Sequence, residues 1–496
     1  MRQLPQNVYS AANVREMDRL AIEDHGVPGY TLMCRAGDAA WRLLRARWPA
    51  ARHVLVLCGA GNNAGDGYVI ARLALADGYR ATTVPLLDPS TLKGDARKAW
   101  QDFTDAGGRL TEWQSPLCDD ADVIVDAVLG TGLDRALAGP LLAAVTAVNA
   151  ASTPVLAMDI PTGLHADTGM ALGEAVRADA TITFVGLKAG LFSGEAWNHV
   201  GSLFCDDLGV SELVGDSLPP VFRRIDTSLV RSLLPPRSRT LHKGRAGHVL
   251  VVGGGVGMPG AVRLAAEACL RSGAGLVTVA TSPESLALAL SGRPEVMGIA
   301  VRSGEDLAPL IARADVIAIG PGLGQSAWAR ELLDTVLAAG LPVVADADAL
   351  NLLAGSGVKR DDWALTPHPG EAGRLLGTDT GTVQGNRLAA LDELVARYGG
   401  TVVLKGAGTL VGNDGDVPYL CDRGNPGMAA PGMGDLLTGV IAGIAAQTLN
   451  GSGDLAAACR AGVLVHAAAG DSAAARGERG LIATDLLPFI LNQVNP

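Results

Sequence analysis

One stretch does most to decide the fold of this 496-residue chain: Asn425-Pro-Gly-Met-Ala-Ala-Pro-Gly-Met-Gly-Asp435. It comes directly before residues 436–446, which are predicted to form a helix. Glycines and a carboxylate at the start of a helix suit phosphoryl transfer, because the helix N-terminus stabilises negative charge that develops on the transferred group. Asp435 is placed to accept the proton of an attacking hydroxyl, as the base of such a reaction does. The alternative is a glycine-rich turn in which Asp435 only caps the helix.

Outward from this stretch, short apolar runs end in Gly- or Asp-rich turns and are followed by Ala/Leu-rich stretches. This alternation predicts parallel sheets with helices on both faces. It restarts once, near two Pro-Pro steps at Pro219-Pro220 and Pro235-Pro236, which indicate a linker near residues 218–235. We therefore predict an α/β protein of two three-layer αβα domains, at residues 1–218 and 225–496. The predicted strands are His53–Cys58, Ala81–Leu86, Val123–Val128, Pro154–Asp159, Ala180–Phe184, Gly247–Val252, Leu276–Ala280, Val316–Ile319, Pro342–Ala345, Trp363–Thr366 and Thr401–Lys405.

Composition narrows the classes of function. The net charge of −11 argues against a nucleic-acid partner, because a polyanion needs a basic surface, whereas backbone amides can still hold a nucleotide. There is no signal-peptide pattern, and the longest apolar stretch, residues 436–449, is too short and interrupted to span a membrane. No CxxC pair occurs, which favours reduced thiols in the cytoplasm over disulfides or zinc. The seven cysteines are Cys34, Cys58, Cys118, Cys205, Cys269, Cys421 and Cys459.

The first glycine-rich turn follows the strand that ends at Cys58. It reads Gly59-Ala-Gly-Asn-Asn-Ala-Gly-Asp-Gly67, and a helix is predicted from Tyr68 to Ala76. Ligands of open parallel sheets bind beyond the carboxyl ends of the strands, and free amides of such a turn can hold a phosphate. The turn is neither a Walker loop nor the dinucleotide motif GxGxxG. Its Asn and Asp side chains can coordinate a cation or bind a sugar hydroxyl; the alternative is a tight turn without a ligand.

Two further strands of the first domain end in carboxylates. Asp126 precedes Gly130-Thr-Gly-Leu-Asp-Arg135, and Asp159 begins Asp159-Ile-Pro-Thr-Gly163. A carboxylate at this edge can serve as a general acid or base, although either aspartate alone could be a helix N-cap. Lys188 follows a later strand and is expected to be a solvated charge.

Four more loops of the second domain follow predicted strands. Lys405-Gly-Ala-Gly-Thr409 offers a lysine and backbone amides to nucleotide phosphates. Gly320-Pro-Gly-Leu-Gly324 supplies another glycine turn, and Asp346-Ala-Asp348 adds carboxylates at a strand end. His368, in Thr366-Pro-His-Pro-Gly-Glu371, is interpreted as a substrate contact, with a structural histidine as the alternative.

The motifs of residues 8–215 resemble the YjeF N-terminal family of NAD(P)H-hydrate epimerases. The resemblance implies a Rossmann-like domain that interconverts the R and S forms of the hydrated cofactors NADHX and NADPHX. It implies that Asn63, Asp126 and Thr162 bind K⁺ and that Asp159 is catalytic, against the hydrated ring. The residues that it assigns to this substrate are Asn62, Asn63, Ala64, Gly65, Asp66, Gly130, Thr131, Gly132, Leu133, Asp134, Arg135, Ala136 and Asp159.

Residues 225–496 resemble the ADP/ATP-dependent NAD(P)H-hydrate dehydratase family. The resemblance implies a ribokinase-like domain in which ADP phosphorylates the S hydrate, with Mg²⁺ at the phosphates, before phosphate leaves and NAD(P)H is regenerated. Asp435 would be the catalytic base. The hydrate would contact Ala261, Gly324, His368 and Asp435, and ADP would bind Lys405, Gly406, Ala407, Gly408, Thr409 and Gly434.

The two activities fit together, because the dehydratase uses one epimer and the epimerase recycles the other. We expect the chain to form a homo-oligomer. The alternative functions are a vitamin or sugar kinase with an accessory ligand-binding domain, a dinucleotide-dependent oxidoreductase, and a non-catalytic nucleotide-sensing or lipoprotein-binding module.

Overall fold

The computed structural model describes residues 4–114, 120–215, 217–449 and 454–495 of the chain. The chain divides into two compact units, Met1–Phe222 and Arg223–Pro496. Both are α/β units with parallel sheets, as the sequence predicts. Of the predicted features, Cys118 lies outside the described residues.

Unit 1 contains a six-stranded sheet in the order β3-β2-β4-β5-β6-β8, in which every pairing is parallel. A separate parallel pair joins β1 to β7. The elements are β1 Asn7–Tyr9, α1 Ala11–Arg19, α2 Gly29–Arg47, β2 His53–Cys58, α3 Asn62–Ala76, β3 Arg80–Pro85, α4 Gly94–Asp105, β4 Val123–Ala127, α5 Gly139–Ala150, β5 Val155–Met158, β6 Ala180–Phe184, β7 Leu187–Lys188, β8 Ser202–Asp206 and α6 Ser211–Val214, with a π-helical turn at Leu20–Asp24.

Unit 2 contains strands in the order β12-β11-β10-β13-β14-β15-β16-β17-β18-β9. Pairing is parallel from β12 to β16, and β17 is antiparallel to both neighbours. The elements are β9 Phe222–Arg224, α7 Ser228–Leu233, β10 His248–Val252, α8 Pro259–Arg271, β11 Leu276–Thr281, α9 Leu286–Leu290, β12 Met297–Ala300, α10 Gly304–Ile311, β13 Val316–Ile319, α11 Ala327–Leu337, β14 Val343–Ala345, α12 Asp348–Leu353, β15 Trp363–Leu365, α13 Pro369–Leu376, α14 Thr380–Gly385, α15 Arg387–Tyr398, β16 Thr401–Leu404, β17 Thr409–Asn413, β18 Tyr419–Cys421, α16 Met433–Thr448, α17 Leu455–Ala473 and α18 Leu487–Gln493.

The sheet of unit 1 is buried on both faces. Successive side chains of a strand point to opposite faces, and in β2 Val54 and Val56 pack into one apolar cluster while Leu55 and Leu57 pack into another. This explains why the strands read as continuous apolar runs in the sequence. Within the described residues, no helix is both long and apolar enough to cross a membrane. The six described cysteines are free thiols, and four of them are buried.

Three sequence-based boundaries need correction. The predicted linker contains β9 and α7, because apolar residues such as Phe222 and Val230 are buried there. Helix α3 begins at Asn62 and not at Tyr68, so residues 62–66 form its first turn rather than a loop. Strand β5 ends at Met158, one residue before the predicted end, because Asp159 leaves the extended conformation with φ 66°.

Candidate functional sites

A cavity of about 410 Å³ lies at the carboxyl ends of β2, β4 and β5 in unit 1. It brings together residues that are far apart in sequence, as the topology of a parallel sheet predicts. Another cavity of unit 1, of about 980 Å³, contains none of the predicted site residues, so we assign the chemistry to the smaller one. The predicted residues that line the smaller cavity are Asn62, Asn63, Asp66, Gly130, Thr131, Gly132 and Asp159.

Asp159 stands at a strained point of the backbone beside a buried lysine. Its φ of 66° is uncommon for a residue other than glycine and costs on the order of 1–3 kcal/mol, a strain that often marks functional sites. Lys188 donates hydrogen bonds to Asp159 Oδ1, to Thr183 Oγ1 at 2.9 Å and to the Phe184 carbonyl at 2.8 Å. The interpretation of Lys188 as a solvated charge is therefore wrong: the side chain is 1% exposed. The three acceptors offset the cost of its burial.

Three more carboxyl groups line the same cavity, those of Asp18, Asp66 and Asp95, and sequence reasoning missed the role of Asp18 entirely. Burial raises the pKa of Asp18 to about 6; Lys188 opposes this rise and the negative charge of Asp159 adds to it. Burial, with the charges of Asp159 and Asp18, also raises the pKa of Asp66 well above its ordinary value. The cavity thus contains an ion pair and two carboxyl groups that retain protons more readily than aspartates in water. The only sequence signal for Asp18 is its position four residues after the buried Val14, on the apolar face of the amphipathic helix α1.

The residues assigned to K⁺ lie at the same sheet edge. Thr162 donates its hydroxyl to Asp126 Oδ1 at 2.7 Å and its amide to Asp126 Oδ2 at 2.8 Å. Burial raises the pKa of Asp126 to about 6, and the hydrogen bonds from Thr162 counteract the rise. Asn63 is buried, and both polar atoms of its side chain lack a hydrogen-bond partner in the described structure. Unpaired buried amide atoms are costly, so they indicate a ligand that the protein alone does not supply.

Other predicted residues of unit 1 lie away from this cavity. Ala64 is fully buried, and Gly65 packs so closely that a Cβ would lie 2.6 Å from Met33 and 2.9 Å from Ala96. The exposed residues 134–136 do not line the cavity, nor does Leu133. Their assignment to the substrate stays a prediction.

In unit 2, a buried ion pair joins two strand ends. Lys405 donates to Asp346 Oδ1 at 2.6 Å, and Thr438 of α16 donates to Asp346 Oδ2 at 2.8 Å. Burial alone would lower the pKa of Lys405, but Asp346 and Glu371 outweigh it and raise that pKa above its ordinary value. Burial alone would raise the pKa of Asp346, but Lys405 outweighs it and lowers that pKa. The sequence identified Asp346 only as a carboxylate at a strand end. In the structure, Asp346 is the ion-pair partner of Lys405, the lysine predicted to bind the nucleotide.

Asp435 lies in the first turn of α16, beside this ion pair. Its side chain has no hydrogen-bond partner within the described part of the chain. Burial raises the pKa of Asp435 to about 7; the charges of Asp346, Asp348 and Glu371 add to the rise, and Lys405 opposes it. A carboxyl group with a pKa near neutrality is suited to exchange protons with a substrate hydroxyl. Gly434, one residue earlier, faces the pair: a Cβ there would lie 3.3 Å from Lys405 Nζ.

The residues predicted to contact the hydrate lie on a loop or at helix N-termini: Gly324 is on a loop, His368 caps α13, and Ala261 and Asp435 are in the first turns of α8 and α16. His368 caps α13 by accepting the Gly370 amide at 3.0 Å, and its own amide donates to Glu371 at 2.8 Å. Gly324 donates its amide to Asp348 at 2.8 Å. Ala261 borders Gly322 of the same glycine loop as Gly324, since a Cβ on Gly322 would lie 3.1 Å from the Ala261 Cβ. His368 thus has a structural role as a cap and still exposes half of its ring.

The loop after β16 contains the predicted nucleotide-binding residues. The Lys405 amide donates to the Pro367 carbonyl at 2.9 Å. The amides of Gly406, Ala407 and Gly408 have no acceptor within the described chain. Thr409 donates its hydroxyl to the Gly406 carbonyl at 3.0 Å, which closes the loop. Successive free amides of this kind form a concave site for an anion.

Metal ligands of the usual acidic, histidine or cysteine type do not cluster in the described residues: no group of three or more could hold an ion. The residues predicted to bind K⁺ would supply the amide oxygen of Asn63, the hydroxyl oxygen of Thr162 and the carboxylate of Asp126. Such oxygen donors suit hard cations.

Comparisons with known proteins agree with this division of the chain. Residues 29–190 match the model of the YjeF-related protein N-terminus, and residues 249–492 match that of NAD(P)H-hydrate dehydratase. A ribokinase-like superfamily protein from Enterococcus faecalis has a solved structure that aligns with a TM-score of 0.50 and 30% identity, over 55% of this chain and 96% of that one.

Two curated relatives extend over nearly the whole chain. The bifunctional NAD(P)H-hydrate repair enzyme of Coxiella burnetii is 47% identical over 99% of both chains. The enzyme of the same name from Escherichia coli is 42% identical over 99% of this chain and 95% of its own. Identity at this level across both units shows that the chain belongs to the family of bifunctional NAD(P)H-hydrate repair enzymes.

Proposed function

We propose that unit 2 dehydrates the S epimer of NADHX or NADPHX and consumes ADP in the reaction. The hydroxyl oxygen of the hydrate attacks the terminal phosphorus of ADP, the bond from that phosphorus to the oxygen of AMP breaks, and AMP leaves. The lone pair of the ring nitrogen then expels phosphate by breaking the bond between the ring carbon and the ester oxygen, and loss of a proton from the adjacent ring carbon of the resulting iminium regenerates the dihydropyridine. The net reaction is a dehydration that yields NAD(P)H, AMP and phosphate.

The observation that carries this proposal is Asp435, an unpaired carboxyl group with a pKa of about 7 in the first turn of a helix. In its ionised form it accepts the hydroxyl proton while the helix N-terminus stabilises charge on the phosphoryl group. The free amides of residues 406–408 support binding of the nucleotide phosphates. Lys405 is engaged by Asp346, so its contribution is a positive field behind the phosphates.

Mg²⁺ fits this arrangement as a partner of the nucleotide. It is a hard cation that prefers phosphate and carboxylate oxygens, and it neutralises phosphate charge when bound. Lys405 pairs with Asp346 and leaves the nearby carboxylates of Asp435 and Asp348 unpaired with it. They are our candidates for contact with the metal or with its water ligands.

We propose that unit 1 interconverts the R and S hydrates. The ring nitrogen expels the hydroxyl as water once a proton is delivered, and water returns to either face of the planar iminium. Asp18, with a pKa of about 6, suits both delivery and removal of this proton. Asp159, with one oxygen engaged by Lys188, is proposed to orient the hydrated ring and to stabilise its positive charge through the other oxygen.

K⁺ is proposed to bind Asn63, Asp126 and Thr162. The unpaired amide of Asn63 supports this assignment, because a cation would supply the partner that its carbonyl oxygen lacks. When bound, a monovalent cation would organise these oxygens and attract the phosphates of the substrate. We also propose that the chain acts in the cytoplasm and that it forms a homo-oligomer. Light scattering on the purified protein tests the oligomeric state.

The deciding experiment incubates the full chain with separated hydrate epimers, Mg²⁺ and either ADP or ATP, and follows the absorbance of regenerated NADH. We expect ADP to support recovery from the S epimer directly and from the R epimer through unit 1. Asp435→Asn should abolish both recoveries, and Asp159→Asn should slow only that of the R epimer. Absence of recovery with either nucleotide contradicts the dehydratase proposal. Accumulation of a phosphorylated hydrate without released phosphate would favour a kinase instead.

A further inference from the structure

Arg387, the first residue of α15, is a buried cation that neither reaction uses. Its side chain is 3% exposed, and within the described chain no carboxylate lies within ion-pair distance. Burial lowers the pKa of Arg387 to about 10, which leaves it charged at neutral pH. A buried charge without a counter-ion is expensive, so its contacts need an explanation.

Those contacts converge on the predicted nucleotide loop. The guanidinium donates to the carbonyls of Leu404 at 3.1 Å, Lys405 at 3.3 Å and Gly408 at 3.3 Å. Gln384 supplies a side-chain acceptor at 2.9 Å. The planar fork of an arginine can bind several carbonyls at fixed angles, whereas the point charge of a lysine cannot.

Holding these carbonyls determines where the amides of the loop point. In a trans peptide group the C=O and the following N–H point in opposite directions. The Lys405 carbonyl faces Arg387, so the Gly406 amide points away from it. The Gly408 carbonyl faces Arg387 as well, and the Thr409 amide that follows it begins β17, where Thr409 pairs with Cys421 of β18. The guanidinium therefore lies behind the loop, and the Gly406 amide is turned to the other side.

We propose that Arg387 is a positioning residue for the nucleotide: by holding the carbonyls of the loop it orients the Gly406 amide toward the phosphates, and it places a positive charge behind them. The negative phosphates supply the counter-charge that Arg387 lacks in the protein. This inference rests on the proposed use of ADP by unit 2. The contact between Arg387 and the loop also explains why residue 406 is a glycine. Its φ is +141°, and a Cβ there would lie 2.7 Å from the guanidinium.

The test measures binding of Mg²⁺-ADP to the full chain by titration calorimetry, with kinetics for the S hydrate alongside. We expect Arg387→Met to weaken binding about 30-fold and Arg387→Lys about fivefold, in the range of a few hydrogen bonds to a charged group. KM for the hydrate should change less than twofold. Arg360→Met is the matched control, because Arg360 also binds carbonyls, of Leu337 and Leu341, but away from this loop.

If Arg387→Met does not fold, Arg387→Lys and Gly406→Ala decide the question, because both disturb the guanidinium-loop contact and keep the charge. Wild-type affinity for Mg²⁺-ADP in both variants overturns the inference while leaving the proposed function intact. Equal losses of affinity for ADP and for the hydrate also overturn it, since they indicate a merely structural role. Failure of the wild-type chain itself to bind Mg²⁺-ADP overturns the proposed function.

Discussion

Both units place a buried lysine among carboxylates at the carboxyl edge of a sheet, but they pair it differently. In unit 1, Lys188 bonds the predicted catalytic carboxylate, Asp159, directly. In unit 2, Lys405 bonds a neighbour, Asp346, and Asp435 is left without a partner and with a pKa of about 7. An engaged carboxylate suits orientation and charge stabilisation, whereas an unpaired one suits proton transfer. The position of the lysine thus separates two chemical roles that look alike in the sequence.

The largest effect is expected from removing the unpaired carboxylate. Asp435→Asn should lower kcat for dehydration of the S hydrate about 10³-fold, because the amide cannot accept the hydroxyl proton. Release of phosphate and regeneration of NADH measure this. Asp454→Asn, which changes a remote helix cap, is the matched control. Normal turnover by the Asp435 variant would remove it from the reaction.

Replacing Lys188 tests how much the ion pair between Lys188 and Asp159 contributes to the stability of the fold. Lys188→Met leaves Asp159 without its partner and should reduce the free energy of unfolding by about 3 kcal/mol, as for other broken buried ion pairs. Denaturant unfolding of the full chain measures this. Lys98→Met is the control, because Lys98 forms an exposed pair with Asp102 that is worth under about 1 kcal/mol. Equal effects of the two substitutions would contradict a special role for Lys188.

The proton-transfer role in unit 1 is assigned to Asp18 and not to the engaged Asp159. Asp18→Asn should slow epimerisation about 30-fold without changing dehydration of the S hydrate, because it removes the exchangeable proton. Following the ratio of epimers by chromatography measures the rate. The exposed Asp24, changed to Asn, is the control. An unaffected rate would return proton transfer to Asp159, as the sequence implied.

The unpaired state of Asp435 also predicts a pH profile. The base must be ionised to accept a proton, and its pKa is about 7, so kcat/KM for the S hydrate should fall about tenfold per pH unit below pH 7. Above pH 7 it should level off. Steady-state rates across the pH range measure this. A rate independent of pH down to pH 5 would mean that Asp435 has the low pKa of a paired carboxylate.

The smallest effect concerns the proposed cation. Thr162→Val keeps the shape of the side chain but removes one oxygen, so the K⁺ concentration for half-maximal epimerase activity should rise about fivefold, the effect of one polar contact. Titration with K⁺ at constant ionic strength measures this. Thr146→Val, at an exposed helix position, should change nothing. An epimerase that needs no K⁺ would contradict the assignment.

Much of the architecture was accessible from the sequence. Strands buried on both faces are continuous apolar runs, so β2, β6 and β13 were predicted with the bounds that the structure has. Several glycines of the motifs that follow the strands occupy positions where a positive φ or close packing requires glycine. Gly320, for example, has φ +122°, and a Cβ there would lie 1.8 Å from the Asp346 carbonyl. The start of helix α3 was predicted less well. Its first turn, which begins at Asn62, is polar and glycine-rich, so the sequence alone favours a loop there.

The sequence by itself determined the two α/β units, the strand end where Asp159 lies and the helix start where Asp435 lies, because periodicity and turn residues are local properties of the chain. Only the tertiary structure decided the partner of each lysine, the raised pKa of Asp18 and the contact of Arg387 with the loop after β16. Each depends on burial and on residues that are not neighbours in the sequence: Asp346 and Lys405 are 59 positions apart, and Arg387 and Leu404 are 17 positions apart. Charge, desolvation and hydrogen bonding act through space, so the sequence names the candidates and the fold assigns their roles.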